Sequence, residues 1–293
     1  MEKIEFPVKG YPEGIRLEQY LRREKGVSLR MIRTLKHHEM GIQLNGAHAR
    51  TIDLVKDGDV IALMPEEQAP EFIPRAVEVE VLYEDDSVVV FNKPAGMPCH
   101  PSKGHMEDTL ANVFAARCAA EGAPRPFRGV YRLDKNTTGA VVAAKTQYAA
   151  GRLMHGTSKV YTAIVCGAVQ EAAGTVVAPI LQPDPGLTLR AVGEGGQPAV
   201  THYEVLGRGK RYSLLRLRLE TGRTHQIRVH MAYLGHPLAG DEWYGGDMGL
   251  MTRHALHCGE VSFLQPQTGE LVKVTAGAPE DFRKAVEVAC LYE

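Results

Sequence analysis

Apolar residues along this chain change their spacing several times, and each change predicts an element. Ile15, Tyr20 and Leu21 fall near helical spacing until Gly26 stops the run. Ser28 is an N-cap candidate for a second helix in which Leu29, Ile32 and Leu35 recur every third residue, ending before Gly41. Ile42-Gln43-Leu44-Asn45-Gly46 then alternates into an Asn-Gly hairpin turn, and Asp57-Gly58-Asp59 turns the chain again before Val60-Ile61-Ala62-Leu63. Residues 66–74 are acidic, proline-bearing and aperiodic, which predicts a linker.

Beyond the linker a period of two dominates. Val77-Glu78-Val79-Glu80-Val81-Leu82-Tyr83 alternates as a strand, turns at Glu84-Asp85-Asp86 and returns as the buried run Val88-Val89-Val90-Phe91. A proline-rich loop at 92–101 precedes a helix over 109–117. Ala140-Val141-Val142-Ala143-Ala144 reads as a buried strand and 147–155 as a helix. Residues 158–165 alternate, with Lys159 and Tyr161 on one face and Val160 and Thr162 on the other. Residues 179–196 read as loop around a short Leu187-Thr188-Leu189-Arg190 segment. Strands return at 199–206 and 213–220, and a helix is expected over 224–233.

Composition narrows the possibilities. The 293 residues suffice for one domain of ordinary size plus an appendage, and a hydrophobic fraction of 44% is that of a globular protein. A formal net charge of -1 means that any nucleic-acid surface must be local. One such surface is visible: between residues 16 and 50, Arg16, Arg22, Arg23, Lys25, Arg30, Arg33, Lys36 and Arg50 face only Glu18, Glu24 and Glu39. Arg30, Arg33 and Lys36 stack on one helix face, away from the apolar stripe. The N-terminus has acids and a proline where a secretory segment needs an apolar run, and no stretch approaches bilayer length, so a cytoplasmic protein without a membrane partner is expected. Five scattered cysteines without a Cys-x-x-Cys pair argue against a disulfide framework and a structural zinc site.

The candidate chemistry sits between two glycines, in Gly129-Val130-Tyr131-Arg132-Leu133-Asp134-Lys135-Asn136-Thr137-Thr138-Gly139. On a short extended segment Arg132 and Asp134 point one way and Leu133 the other, which seats a carboxylate in a loop held by core. The hydroxyls of Thr137 and Thr138 are expected to bond nearby backbone, and Gly139 permits a positive φ. By composition alone a surface Arg-Asp pair beside a turn is the favoured reading. Gly193-Glu194-Gly195-Gly196 lacks the lysine and the strand-to-helix context of a phosphate loop. His254, His257 and Cys258 are possible metal ligands, but adjacent strand residues face opposite ways and no fourth ligand is near, so no metal is expected.

Motifs lift the Asp134 loop above the surface-pair reading. Arg132-Leu133-Asp134-Lys135-Asn136-Thr137-Thr138-Gly139 resembles the signature of the RluA-type pseudouridine synthases, Arg-Leu-Asp-x-x-(Thr/Ser)-(Ser/Thr)-Gly, whose aspartate is catalytic. Lys159-Val160-Tyr161-Thr162-Ala163 resembles the family's Lys-x-Tyr-x-Ala motif, in which the tyrosine lies against the target base. Thr221-Gly222-Arg223-Thr224-His225-Gln226-Ile227-Arg228-Val229-His230 resembles its third motif, whose second arginine pairs with the catalytic aspartate. The loop at 92–101 resembles the family's Asn-Lys-Pro-x-Gly…His-Pro segment, with Lys93 and His100 as possible RNA contacts. Two departures stand out: Tyr131 replaces the usual His before the Arg, and Gln265 replaces a His before Pro266. The order helix, helix, Asn-Gly hairpin in the first 65 residues resembles a small RNA-binding domain first known from a small-subunit ribosomal protein.

The resemblance implies an α+β protein: residues 1–65 a small basic RNA-binding domain, 66–75 a linker, and 76–293 a catalytic domain with a mixed, largely antiparallel sheet of two halves and a cleft across its middle. It assigns catalysis to Asp134, Tyr161 and Arg228, and RNA contacts to Arg132, Lys159, Arg223 and His225, with Arg30, Arg33 and Lys36 added by the N-terminal unit. Structured RNA is the implied partner, ribosomal ahead of transfer RNA, with no cofactor and no obligatory protein partner. The reaction cleaves the ribose–uracil bond, turns the base and joins it through carbon. It needs a charged carboxylate, acting on the sugar or the base or assisting glycal formation, and a cation beside it in a closed site. The uridine must leave its stack, which makes Arg132 a candidate to fill the vacancy or hold phosphate, and Tyr161 a platform for the ring. The competing readings are a degenerate synthase kept as an RNA-binding ribosome-assembly factor, and a glycoside hydrolase, which would want two motif carboxylates.

Overall fold

The computed structural model of the protein describes residues 3–65 and 72–289. Of the linker expected over 66–75, residues 66–71 lie outside the described residues, and 72–80 carry neither helix nor strand. No helix among the described residues is long and apolar enough to cross a membrane.

The N-terminal unit runs β1 (Ile4–Pro7), β2 (Ile15–Arg16), α1 (Leu17–Arg23), α2 (Leu29–Leu35), β3 (Ile42–Leu44), β4 (Ala47–His48), β5 (Leu54–Val55) and β6 (Val60–Leu63). Its sheet has the order β1-β6-β3-β4. Leu17, Tyr20 and Leu21 of α1 and Met31, Ile32 and Leu35 of α2 bury one side of each helix. Ser28 caps α2 by accepting a hydrogen bond from the Met31 N–H at 3.2 Å. Asn45 and Gly46 both take positive φ (52° and 83°), the geometry a tight two-residue hairpin requires. The first strand escaped the periodicity reading because it is only four residues long and closes the sheet by pairing with β6, the last strand of the unit.

The rest of the chain runs β7 (Val81–Glu84), β8 (Val88–Lys93), α3 (Leu110–Ala120), β9 (Arg128–Gly129), β10 (Thr138–Ala144) and α4 (Gln147–Leu153). It continues with β11 (Ser158–Cys166), β12 (Ala173–Val177), β13 (Ile180–Leu181), β14 (Ala191–Val192), β15 (Val200–Arg208) and β16 (Tyr212–Leu219). Then come α5 (Gln226–Tyr233), a 3-10 turn (Glu242–Tyr244), β17 (Leu256–Leu264), β18 (Leu271–Thr275) and α6 (Glu280–Val288). The strand expected from Val77 begins only at Val81, since β8 is its single partner and the register slips between Val81 and Tyr83. The loop expected over 179–196 contains the small hairpin β13–β14. Helix α6, which the sequence reading passed over, buries Phe282 and Ala285.

One sheet joins these strands in the order β12-β15-β16-β11-β17-β10-β8-β7, with β18 on β17 and β9 on β10. Its pairs are antiparallel except β10 with β17, where Thr138 lies beside His257 and Gly139 beside Cys258. The expected α+β class and the two-half, largely antiparallel sheet are therefore what the chain forms, and the parallel contact is the seam between the halves. Gly139 is required there. Its φ is +112°, and a Cβ would stand 2.2 Å from the Cys258 carbonyl oxygen. The threonines before it do not bond nearby backbone as expected. Thr137 Oγ1 pairs with His254 Nε2 at 2.8 Å and Thr138 Oγ1 with His257 Nδ1 at 2.9 Å, so both hydroxyls reach across the seam. The N-terminal unit is tied to the rest of the chain through α4, where Tyr148 packs on Phe6 (5.5 Å between ring centroids) and donates to the Lys25 carbonyl at 3.1 Å.

Burial pushes His254 down to about 4 and lowers His257 as well. Between pH 4 and the unfolded value near 6.5 the unfolded chain holds the proton and the folded chain does not, so stability rises with pH in that window and is lost on acidification. For His254 the loss by pH 4 is on the order of 3 kcal/mol. Replacing His254 with Gln is expected to flatten the dependence of urea-unfolding stability on pH between 6.5 and 4. A slope equal to that of the parent would contradict a buried neutral imidazole.

Candidate active site

The segment before β10 is extended, as its alternation requires: Leu133 is buried, Arg132 is exposed and Asp134 stands between. Two groups hold this segment from beneath. The Cys99 thiol meets the backbone N–H and carbonyl of Leu133 at 3.4 and 3.5 Å. Lys93 donates to the carbonyls of Pro94 and Met97, each at 2.8 Å, and of Lys135 at 3.0 Å. Its residue is 0% exposed, so it faces no RNA, contrary to one possibility raised by its motif. Burial lowers its pKa to about 8, with Asp134 among the charges working in the other direction, which leaves an ammonium at neutral pH with all three hydrogen bonds intact.

Opposite the loop, α5 begins at Gln226 rather than at Thr224. His225 takes a left-handed backbone conformation (φ 57°) at the N-cap and turns the chain into the helix. Gln226 fixes that entry: its side-chain oxygen accepts from Thr221 Oγ1 (2.9 Å) and the Arg223 N–H (3.0 Å), while its amide donates to the Val200 carbonyl (2.9 Å). Arg228 therefore projects from the first turn. Its Nη1 donates to Asp134 Oδ2 at 3.1 Å, while Nε and Nη2 grip Asp241 at 2.7 and 2.9 Å. The guanidinium side chain is 5% exposed, that of Asp241 1% and that of Asp134 25%. Only a planar fork with separated donors can hold one carboxylate by two bonds and still offer a third.

Aromatic rings close this cluster. The Arg228 guanidinium carbon lies 4.9 Å from the ring centre of Tyr244 and 5.4 Å from that of Trp243. His225 Nδ1 pairs with the Tyr244 hydroxyl at 2.8 Å, and its Nε2 is 3.8 Å from Asp134 Oδ2. Burial lowers the His225 pKa, which keeps the ring neutral at neutral pH. Tyr161 lies on β11 beside Cys258 of β17, and burial pushes its hydroxyl well above its usual range. A buried, protonated phenol offers a ring face and an O–H donor, not an anion.

Structure sorts the expected site residues by burial and position. Asp134, Arg228, Tyr161 and His225 converge at the seam, and His225 is buried against the carboxylate instead of standing on the surface. Arg132 and Arg223 are exposed, Arg223 donating to the Pro198 carbonyl at 3.1 Å. Lys159 is half-buried, with its ammonium 4.8 Å above the ring of Tyr131, whose hydroxyl donates to the Ala140 carbonyl at 2.8 Å. This substituted tyrosine thus packs against the core and is tied to β10. Gln265, the other departure, accepts from the Gln267 and Thr268 N–H groups and organises the β17–β18 turn. Arg30, Arg33 and Lys36 are exposed together on α2, in the other unit. Asp241, Trp243 and Tyr244 were not singled out from the sequence. Only the fold brings Asp241 to Arg228. Among the described residues no group of three or more His, Cys, Asp or Glu side chains is placed to hold a metal ion.

Comparison with known proteins bears directly on this geometry. Residues 87–233, which carry the Asp134 loop, Tyr161 and Arg228, match the family model described as RNA pseudouridylate synthase. The chain belongs to the RluA-type RNA pseudouridine synthases. It is 42% identical to the uncharacterized RNA pseudouridine synthase YhcT of Bacillus subtilis, over 78% of this chain and 79% of that one. It is 38% identical to ribosomal large subunit pseudouridine synthase D of Pseudomonas aeruginosa, over 82% of this chain and 81% of that one. Among solved structures it is similar to human RNA pseudouridylate synthase domain containing 1, with a TM-score of 0.56 and 28% identity over 69% of this chain and 84% of that one. In this synthase the Asp134–Arg228–Asp241 cluster thus occupies the site where the family's motifs meet.

Truncating one member of a buried, hydrogen-bonded ion pair strands the other charge and costs about 3–5 kcal/mol. Asp241→Ala is expected to lose that much in urea unfolding. Asp134→Asn, at a quarter-exposed position where the amide oxygen still accepts from Arg228, is expected to stay within about 1 kcal/mol of the parent. Equal losses at the two positions would mean that Arg228 is not oriented by Asp241.

Proposed function

We propose that this synthase isomerises uridines of ribosomal RNA to pseudouridine with Asp134 as the catalytic nucleophile. One observation carries the reading: the Asp134 carboxylate is the solvent-accessible member of an otherwise buried charge cluster, held by a single donor of the deeper Arg228. A nucleophile needs an oxygen free to attack and a site that compensates its charge without quenching it. Asp241 occupies the other two donors, so Arg228 steadies Asp134 and leaves the rest of its carboxylate uncommitted. Tyr161 supplies the ring face for the uracil after it leaves its stack, and its protonated hydroxyl donates to the base or sugar. Arg132, just before Asp134, and Arg223, shortly before Arg228, are both exposed and take the phosphates of the flanking strand. The groups that carry the reaction are all side chains of the protein, and no cofactor enters the scheme.

Ribosomal RNA is the favoured substrate because a relative at 38% identity is named a ribosomal large subunit pseudouridine synthase. Residues 1–65 act in this scheme as an RNA-binding domain, with 66–75 as linker and 76–293 as the catalytic domain. Arg30, Arg33 and Lys36 give the first unit an exposed cationic face on α2, whose opposite side is fixed by Met31, Ile32 and Leu35. Such a face adds affinity through phosphate contacts.

Asp134→Asn is expected to abolish pseudouridine formation in unmodified large-subunit ribosomal RNA while RNA retention on filters persists; turnover within about tenfold of the parent would remove Asp134 from the chemistry. Replacing Arg30, Arg33 and Lys36 together with Ala is expected to make the salt dependence of RNA binding shallower by about two to three units of logarithmic slope. An unchanged slope would leave that face a solvated surface.

A further inference from the structure

Trp243 is the single tryptophan of the chain, and it sits at the edge of the catalytic cluster. One edge of the indole is fixed. Its ring centre lies 5.6 Å from that of His225 and 5.4 Å from the Arg228 guanidinium carbon. Nevertheless 54% of the residue is exposed. Tyr244 already provides Arg228 with a ring at 4.9 Å, so a second ring is not needed to cover the guanidinium. A large apolar surface held rigid on one side and left open to solvent on the other is the form a stacking site takes.

We propose that Trp243 is the platform on which a nucleobase adjacent to the reacting uridine stacks. This rests on the reading that Asp134 acts on a flipped uridine in RNA. The flipped ring itself belongs with Tyr161, which is buried, whereas its chain neighbour loses a stacking partner when the uridine leaves the helix. An exposed indole a few ångströms from the charge pair replaces that lost partner. The ligand class is a single-stranded ribonucleotide, purine ahead of pyrimidine because the larger π-face covers more of the indole. The surroundings admit a polyanion. Tyr244, the next residue, accepts from the Arg190 N–H at 3.0 Å. Arg190 and Arg223 line a neighbouring cavity of about 410 Å³ that has no carboxylate among its lining residues.

Because the chain has one tryptophan, its emission reports this site alone. Titrating the full-length Asp134→Asn protein with an unmodified large-subunit ribosomal RNA transcript is expected to quench the indole emission and shield it from acrylamide, in step with retention of the RNA on filters. In the active protein, Trp243→Leu is expected to raise KM about tenfold, more than it lowers kcat, and Trp243→Phe to recover most of that loss. RNA retained with emission and acrylamide access unchanged would overturn the proposal and leave the assigned reaction standing. A loss confined to kcat in Trp243→Leu, with KM unaltered, would overturn it by reducing the indole to a support for Arg228. Failure of any RNA to be retained would remove the RNA substrate and both inferences together.

Discussion

The fork of Arg228 is the interaction on which the site depends. A guanidinium carries five donors in a rigid plane, and here three of its N–H groups are distributed between two carboxylates that would otherwise repel each other. Desolvating one cation and two anions is expensive, and the arrangement is favourable only because each buried oxygen and nitrogen is hydrogen-bonded. Asp241 sits deeper and takes two bonds, which makes it the orienting member. Asp134 takes one bond and remains reachable, as the nucleophilic role proposed for it requires.

The fold places that fork at the one point where the two halves of the sheet run parallel. One apolar core, from Val88–Phe91 and Ala140–Ala144 to Ala163, Leu215 and Leu217, runs under both halves, but at the seam β10 and β17 share only a short register. Thr137 and Thr138 compensate by hydrogen-bonding to His254 and His257, and Gly139 lets the backbones come within contact distance. The residues that follow Asp134 therefore have a structural task, to fasten the loop to the opposite half while α5 brings in Arg228 from another part of the chain. Lys93 completes the support by bonding three carbonyls beneath the loop. Rigidity on this scale is what lets a carboxylate be offered to a substrate at a set distance from its counter-ion.

Much of this was legible in the residues. Continuous apolar runs identified the strands at Val88 to Phe91 and Ala140 to Ala144, alternation identified the one around Tyr161, and Ser28 and Asn45-Gly46 marked a helix start and a hairpin by local chemistry alone. The motifs identified Asp134 and Arg228 as partners 94 positions apart in sequence. What stayed hidden depended on long-range geometry. Asp241 is one acidic residue in a glycine- and proline-rich run, and nothing local says that it meets a helix begun fifteen residues earlier. The task of Thr137 and Thr138 was misjudged because short-range turn chemistry was assumed where histidines more than a hundred residues away were the partners. The motifs offered Lys93 and His225 as RNA contacts, and the fold buries both side chains. Tyr131 and Gln265, which depart from the family pattern, turned out to serve packing and turn formation.

Exchange of Arg228 for Lys tests the central claim most directly, because it retains the charge and removes the fork. An ammonium is a single point that cannot bond Asp241 twice and still reach Asp134. Single-turnover pseudouridine formation by the folded Arg228→Lys protein, measured at saturating RNA, is predicted to fall by about 100-fold or more. A rate within about tenfold of the parent would show that positive charge alone is sufficient, and that the shared guanidinium is not what positions Asp134.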